Sequence, residues 1–245
     1  MEQKGRKCMY DFKSRVRYSE TDVDAKLSVT GIMNYFQDCS TFQSEDCGVG
    51  LSYLETVKRA WLLSSWQIRV IERPKLGDRI TIATWPYEIK GIYGLRNFVI
   101  LDEKGEYLVK ANSCWFLVDT ETGKPVRVTR EDVDAYGAEE PKLPMEYAPR
   151  KIALPDDMEE AGRLLVMKHQ IDTNHHVNNA QYVDMAREVL PEGTEIREIR
   201  AEYKKAAVLG DLVVLKRAET AKGYVVSICG VDGSVFANVE LKTGE

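Results

Sequence analysis

The sequence predicts an α+β fold made of two copies of one unit, each a helix followed by an antiparallel sheet. Three observations point there. The tripeptide LGD stands at 76–78 and again at 209–211, each time ahead of a run rich in β-branched and aromatic residues. The segments starting at Asp22 and Asp172 both lead into apolar residues at helical spacing. Between the copies, residues 131–163 hold four of the eight prolines and many acids, with no clear periodicity.

In chain order, the first helix is expected to start at Ser28 and to carry Ile32, Met33, Tyr35 and Phe36 inward. Aligned on the aspartates, Leu27 matches Val177, Ile32 matches Tyr182, Tyr35 matches Met185 and Asp38 matches Glu188. The offset between copies is 150 at the aspartates and 133 at LGD, so the first half holds 17 extra residues between helix and sheet. That insertion, around Leu51 and Leu54, is expected to form a lid or tunnel wall. Trp61 to Trp66 then lead into strands. Both halves carry a Lys-Gly pair, at 90–91 and 222–223, and turn at a glycine. Asp232-Gly233 reads as a two-residue hairpin turn with positive φ at both positions. The expected domains are 1–130 and 164–245, with 131–163 as linker.

Composition narrows the function classes. With 44% hydrophobic and 30% charged residues, the chain is of ordinary globular type. A net charge of −5 argues against nucleic-acid binding, which needs concentrated positive charge. No apolar run has the length of a membrane span, and no apolar h-region follows the basic start MEQKGRKCMYDFKSR. Cys8, Cys39, Cys47, Cys114 and Cys229 are scattered without a CxxC pair, as expected of reduced thiols. A cytoplasmic protein is expected. No metal is expected either, because His175 and His176 are adjacent and only His169 is nearby.

The polar crowding falls in IDTNHHVNNAQYVDMARE, residues 171–188. Asn, Asp and His before a helix often serve as turn and cap residues, and Asn178 or Asn179 suits the N-cap. The same residues fit chemistry. The N–H groups of Val177, Asn178 and Asn179 at a helix start favour developing negative charge, such as the oxyanion of an ester or thioester carbonyl. Asp172 is a candidate base or nucleophile, and Asn174 and His176 can bond a water or the carbonyl. In the first half, His176 becomes Lys26 and Asn178-Asn179 become Ser28-Val29. One working site on a duplicated scaffold would leave that asymmetry.

The string D-x-N-x-H-V-N-N-x-x-Y, Asp172 to Tyr182, resembles that of hotdog-fold thioesterases, in particular the acyl-acyl-carrier-protein (acyl-ACP) thioesterases. VRYSETDVD, Trp61-Leu-Leu-Ser-Ser-Trp66 and Ala201-Glu-Tyr-Lys-Lys205 extend the resemblance over nearly the whole chain. It implies two tandem hotdog domains, each a long helix wrapped by a curved sheet. It also implies hydrolysis of fatty acyl-ACP to free fatty acid, ending chain elongation, with no cofactor. The site is then expected where the halves meet, with the acyl chain largely in the N-terminal half. Asn174 and His176 match catalytic positions of the plant enzymes, and Asp172 matches their motif aspartate. After Tyr203-Lys204-Lys205 those enzymes carry glutamate and a cysteine proposed as nucleophile, where this chain has Ala206 and Ala207. A cysteine-free mechanism is therefore expected. Glu188 also aligns with a plant glutamate but is read as a solvated or packing residue.

For an acyl tunnel the candidates are Ile32, Tyr35, Phe36, Trp61 and Trp66, whose ordinary role is core. For docking the acidic carrier protein they are Arg197, Arg200, Lys204 and Lys205, interspersed with Glu198 and Glu202. An acyl-CoA thioesterase, a non-catalytic lipid-binding hotdog and a hotdog dehydratase are the competing expectations. Either a monomer or a homodimer fits the duplicated architecture.

Overall fold

A computed structural model describes residues 9–137 and 140–244. Cys8 and the start of the basic N-terminal stretch lie outside the described residues. The chain divides into two compact units, residues 1–63 with 71–146, and residues 64–70 with 147–245.

The first unit opens with β1 (Tyr10–Arg15) and a single 3-10 turn, Tyr18–Glu20. Helix α1 (Val29–Asp46) follows, capped by the Ser28 hydroxyl, which accepts the Gly31 N–H. Its buried residues Ile32, Met33, Phe36, Cys39 and Gln43 recur at helical spacing and form one face. Helix α2 (Leu51–Thr56) leads into β2 (Arg59–Val70), then β3 (Arg79–Lys90), β4 (Tyr93–Leu101), β5 (Tyr107–Asp119) and α3 (Arg130–Tyr136). The antiparallel order here is β1-β3-β4-β5, with α1 against β1 and β3. Phe36 meets Phe98 with ring centroids 5.1 Å apart, above Ile82 and Ile100, all fully buried.

The second unit takes residues 64–70 of β2, then β6 (Glu159–Leu165), a 3-10 turn at Lys168–Gln170 and helix α4 (Asn179–Arg187). After these come β7 (Glu198–Tyr203), β8 (Leu212–Thr220), β9 (Gly223–Gly230) and β10 (Val235–Lys242). The order is β2-β7-β10-β9-β8-β6, again antiparallel, with α4 against β9 and β10. Val183, Met185 and Ala186 are buried, as are Ile199, Leu215, Val226, Ile228 and Val239 on the strands.

The duplication holds down to single hydrogen bonds. Gly77 donates its N–H to the Val16 carbonyl, and Gly210 donates to Val166. The Asp78 carboxylate accepts the Lys75 N–H at 2.8 Å, and that of Asp211 accepts the Val208 N–H at 2.9 Å. Gly77 and Gly210 have φ of +90° and +87°, so glycine fits the LGD turn in both copies. The extra residues of the first half lengthen α1 to 18 residues against 9 in α4 and add α2.

Several local expectations change. The segment read as linker contains α3, built on a Thr129–Asp132 capping box, and the start of β6. It also supplies Leu143, buried on Ala83, Trp85 and Val99, because a proline-rich strap can pack by side chains without periodic structure. The Asp232-Gly233 turn is longer than two residues, and of the pair only Gly233 has positive φ. The Asp232 carboxylate accepts both the N–H and the hydroxyl of Ser234, which fixes an Asx-type turn instead.

Candidate active site

Residues 171–178 leave the 3-10 turn at 168–170 and close on themselves before α4. Asp172 donates its N–H to the His176 carbonyl at 2.8 Å, and His175 donates back to the Asp172 carbonyl at 3.1 Å. The Asp172 Oδ1 accepts the Asn174 N–H at 2.8 Å. Closure this tight forces His175 to φ +61°, a left-handed conformation unusual outside glycine. Asp172, Asn174 and His176 are thereby gathered in one turn. Asp172 is half-buried, while Thr173 to His176 are exposed. Among the described residues, the Asp172 Oδ2 has no hydrogen-bond or ion-pair partner.

The turn is anchored from both sides. Val177 donates its N–H to the Ala207 carbonyl at 2.9 Å, and Asn178 donates to Gln170 at 2.8 Å. Those two N–H groups are therefore occupied, which corrects the expectation that they would hold an oxyanion. Stitching the turn to its neighbours consumes them. The side chain of Asn178 caps α4 by accepting the Ala180 N–H at 2.9 Å. The Asn179 N–H alone of the three expected donors has no acceptor among the described residues.

Two tyrosines brace this arrangement, a role that sequence reading gave to neither of them. The Tyr182 hydroxyl accepts the Ala207 N–H at 2.8 Å, and Tyr203 donates to the Asn179 carbonyl at 2.9 Å. Their rings meet edge to face, 5.8 Å between centroids. Burial pushes the Tyr182 phenol up to about 12, with the Ala207 N–H opposing it. Burial and the neighbouring Tyr182 raise Tyr203 well above its usual value. Both stay neutral near pH 7, so their hydrogen bonds are fixed.

The first-half loop has the same backbone. Asp22 donates to the Lys26 carbonyl at 2.9 Å, Ala25 donates to Asp22 at 3.0 Å with φ +56°, and Leu27 donates to Pro74 at 2.8 Å. Its side chains differ: Arg73 is ion-paired to Asp22 and lies 3.6 Å from Asp24.

The remaining predicted residues are placed as follows. Ile32, Tyr35 and Phe36 are buried on α1, and the Tyr35 hydroxyl bonds Glu20 at 2.7 Å and Ser14 at 2.9 Å. Trp61 is half-buried and would be 3.5 Å from a side chain at Gly94. Trp66 is buried in the second unit, where it pairs with Ala201 in the β2–β7 ladder, not in the N-terminal half. Of the docking candidates, Arg200 is bound to Glu240 at 2.6 Å and to the carbonyls of Pro149 and Lys151, with its side chain only 12% exposed. Alternation along β7 turns it toward those partners, so it offers little charge to a docking protein. Lys204 pairs with Glu202, Lys205 lies over the Phe236 ring, and Arg197 pairs with Glu195. Burial pushes the Cys39 thiol up to about 12, and Cys229 is also buried.

The family model for the acyl-ACP thioesterase N-terminal domain matches residues 7–136, and that for the C-terminal domain matches 155–237. The chain belongs to the acyl-ACP thioesterase family. The chain is 26% identical over 251 residues to oleoyl-acyl carrier protein thioesterase 2 of Arabidopsis thaliana, covering 94% of the chain and 68% of the relative. It is 28% identical over 206 residues to an acyl-[acyl-carrier-protein] hydrolase of Cuphea viscosissima, covering 78% of the chain and half of that relative. Among solved structures, an acyl-ACP thioesterase from Bacteroides thetaiotaomicron superimposes with a TM-score of 0.88 at 21% identity, covering 96% and 97% of the two chains. The 12:0-ACP thioesterase from Umbellularia californica gives 0.83 at 18%, covering 96% of each. The fold is two hotdog domains, and the family is one of thioester hydrolases.

Proposed function

We propose that this protein cleaves fatty acyl-ACP with Asp172 as general base and without a cysteine nucleophile. The open Asp172 Oδ2 carries the reading, because its partner oxygen is already held by the Asn174 N–H. The surrounding turn is exposed, so water can reach that oxygen. Asp172 takes a proton from water, and the oxygen of that water attacks the thioester carbonyl. The Asn179 N–H at the start of α4 stabilises the resulting oxyanion, aided by the helix dipole. Asn174 and His176 orient water and carbonyl from the same turn. Collapse breaks the C–S bond, leaving free fatty acid and the carrier thiol, which takes up the proton. Thiolate is a good leaving group, so no strong acid is required.

Ala206 and Ala207 exclude a nucleophile at the position where the plant enzymes carry cysteine. The partner is acyl carrier protein, and release of free acid ends chain elongation. Arg197, Lys204 and Lys205 remain the docking candidates, on the flanks of β7.

The test is hydrolysis of matched acyl-ACP and acyl-CoA thioesters by the wild type and Asp172→Asn. Faster release from the carrier protein, cut at least about a hundredfold in a folded variant, supports the reading. Near-normal rates in Asp172→Asn overturn the assignment, and preference for acyl-CoA overturns the partner. One turnover in 18O-water that leaves label in the Asp172 carboxylate would show attack by Asp172 itself and overturn its assignment as base.

A further inference from the structure

We infer that the absence of a guanidinium at position 206 is what leaves the loop aspartate able to react, since an arginine there would occupy Asp172. This rests on the proposed role of Asp172 and goes beyond it. The two halves make the comparison atom by atom. In the first loop the Asp22 Oδ1 accepts the Asp24 N–H at 3.1 Å, as the Asp172 Oδ1 accepts that of Asn174 at 2.8 Å. The other oxygen, Oδ2, is bonded by Arg73 in the first loop, whereas in the second it is open among the described residues.

The register that equates residue 73 with residue 206 is fixed by two matching contacts. The next residue offers its carbonyl to the loop in each copy, Pro74 to Leu27 and Ala207 to Val177. The residue after that, Lys75 or Val208, donates its N–H to Asp78 or Asp211. An arginine at 206 would therefore start from the backbone position that lets Arg73 reach Asp22. Ala206 is exposed, so the longer side chain displaces no core. A second substitution accompanies the first. Arg73 also neutralises Asp24, and the matching residue is uncharged Asn174. Without the guanidinium, a second carboxylate there would repel Asp172, and asparagine removes that charge.

The first loop is thus the same turn with its reactive oxygen occupied. The test compares Ala206→Arg with Ala206→Met, which has similar reach and no charge. In Ala206→Arg, kcat is expected to fall about a hundredfold, the lower end of what a general base contributes. KM should change little. The acidic limb of the kcat/KM profile should move to lower pH, because a paired carboxylate titrates lower. Ala206→Met should keep kcat within about threefold. An Ala206→Arg enzyme of normal rate, or an Ala206→Met enzyme as slow as it, overturns the inference. Loss of activity in Asp172→Asn alongside an active Ala206→Arg would sink this inference and leave the proposed function standing. Activity in Asp172→Asn would sink the proposed function itself.

Discussion

Val177 donates its backbone N–H to the carbonyl of Ala207 at 2.9 Å, tying the Asp172 turn to the chain that leaves β7. The same Ala207 donates its own N–H to the Tyr182 hydroxyl on α4. Turn, helix and strand exit are thus held through one residue. That is why polar residues with few side-chain contacts of their own can keep a defined geometry.

Tyr182→Phe removes the acceptor of a buried N–H while keeping the ring. The orphaned donor should cost about 1–3 kcal/mol. The anchor should loosen as well, so a fall in kcat of at least about tenfold is expected, since small displacements of reacting groups are expensive. Thermal unfolding and steady-state rates check both, and an unchanged melting temperature would show that Ala207 finds another acceptor.

The adjacent histidines should separate cleanly. His175 supplies the left-handed residue that closes the turn, a place held by Ala25 in the first half. His175→Gly is expected to stabilise by up to about 1 kcal/mol with turnover retained, because glycine adopts that conformation without strain. His176→Ala should leave stability alone and lower kcat. Equal kinetic losses in the two variants would contradict this division of roles.

The Asp22–Arg73 pair should be visible in acid stability. Burial raises the Asp22 carboxyl, but the hydrogen bond and charge of Arg73, with N–H donors from Asp24 and Lys26, outweigh it and hold the group below its usual range. A depressed carboxyl stabilises the fold above its unfolded value, about 3.9, and loses that contribution as pH falls through the lower folded value. Arg73→Met should therefore cost about 1–3 kcal/mol near neutral pH. The gap to wild type should close below pH about 4. Denaturant unfolding across pH measures it, and a gap independent of pH would point to lost packing instead.

A buried cation lies in the first unit. The Arg96 side chain bonds the Gln43 carbonyl oxygen and, at 3.2 Å, the Thr84 hydroxyl, and lies 5.3 Å from the centre of the Tyr136 ring. Gln43→Leu removes the acceptor and should destabilise by about 3 kcal/mol. Adding Arg96→Met should restore most of the loss, since an apolar pair of similar volume needs no solvation. Failure of the double variant to recover would mean that Gln43 acts through contacts other than Arg96.

Much of this molecule was legible in one dimension because duplication repeats its own evidence. LGD at two places, apolar residues at helical spacing after two aspartates and a polar cluster in only one copy were enough for the α+β class and for the turn holding Asp172, Asn174 and His176. The asparagine cap was legible too, since capping is a local interaction. The pairing of Arg73 with Asp22 left a trace: applying the 133-residue offset shows arginine opposite Ala206. What it means depended on knowing that residue 73 faces residue 22, some fifty positions away.

Tertiary structure alone decided the rest. Which N–H groups at the start of α4 stay open depends on Gln170 and Ala207, and the latter arrives from the chain that leaves β7. Whether Arg200 can meet a partner depends on Glu240 and two carbonyls on distant segments. Trp66 falls in the second unit because β2 pairs there with β7, although the first-half run reads straight through it. By itself the sequence determined the repeated unit and the chemical types gathered at each turn, since periodicity, caps and turn residues act over a few neighbours. Folding decided which of those groups are already paired, because a hydrogen bond or an ion pair is settled by whatever the rest of the chain brings within about 3 Å.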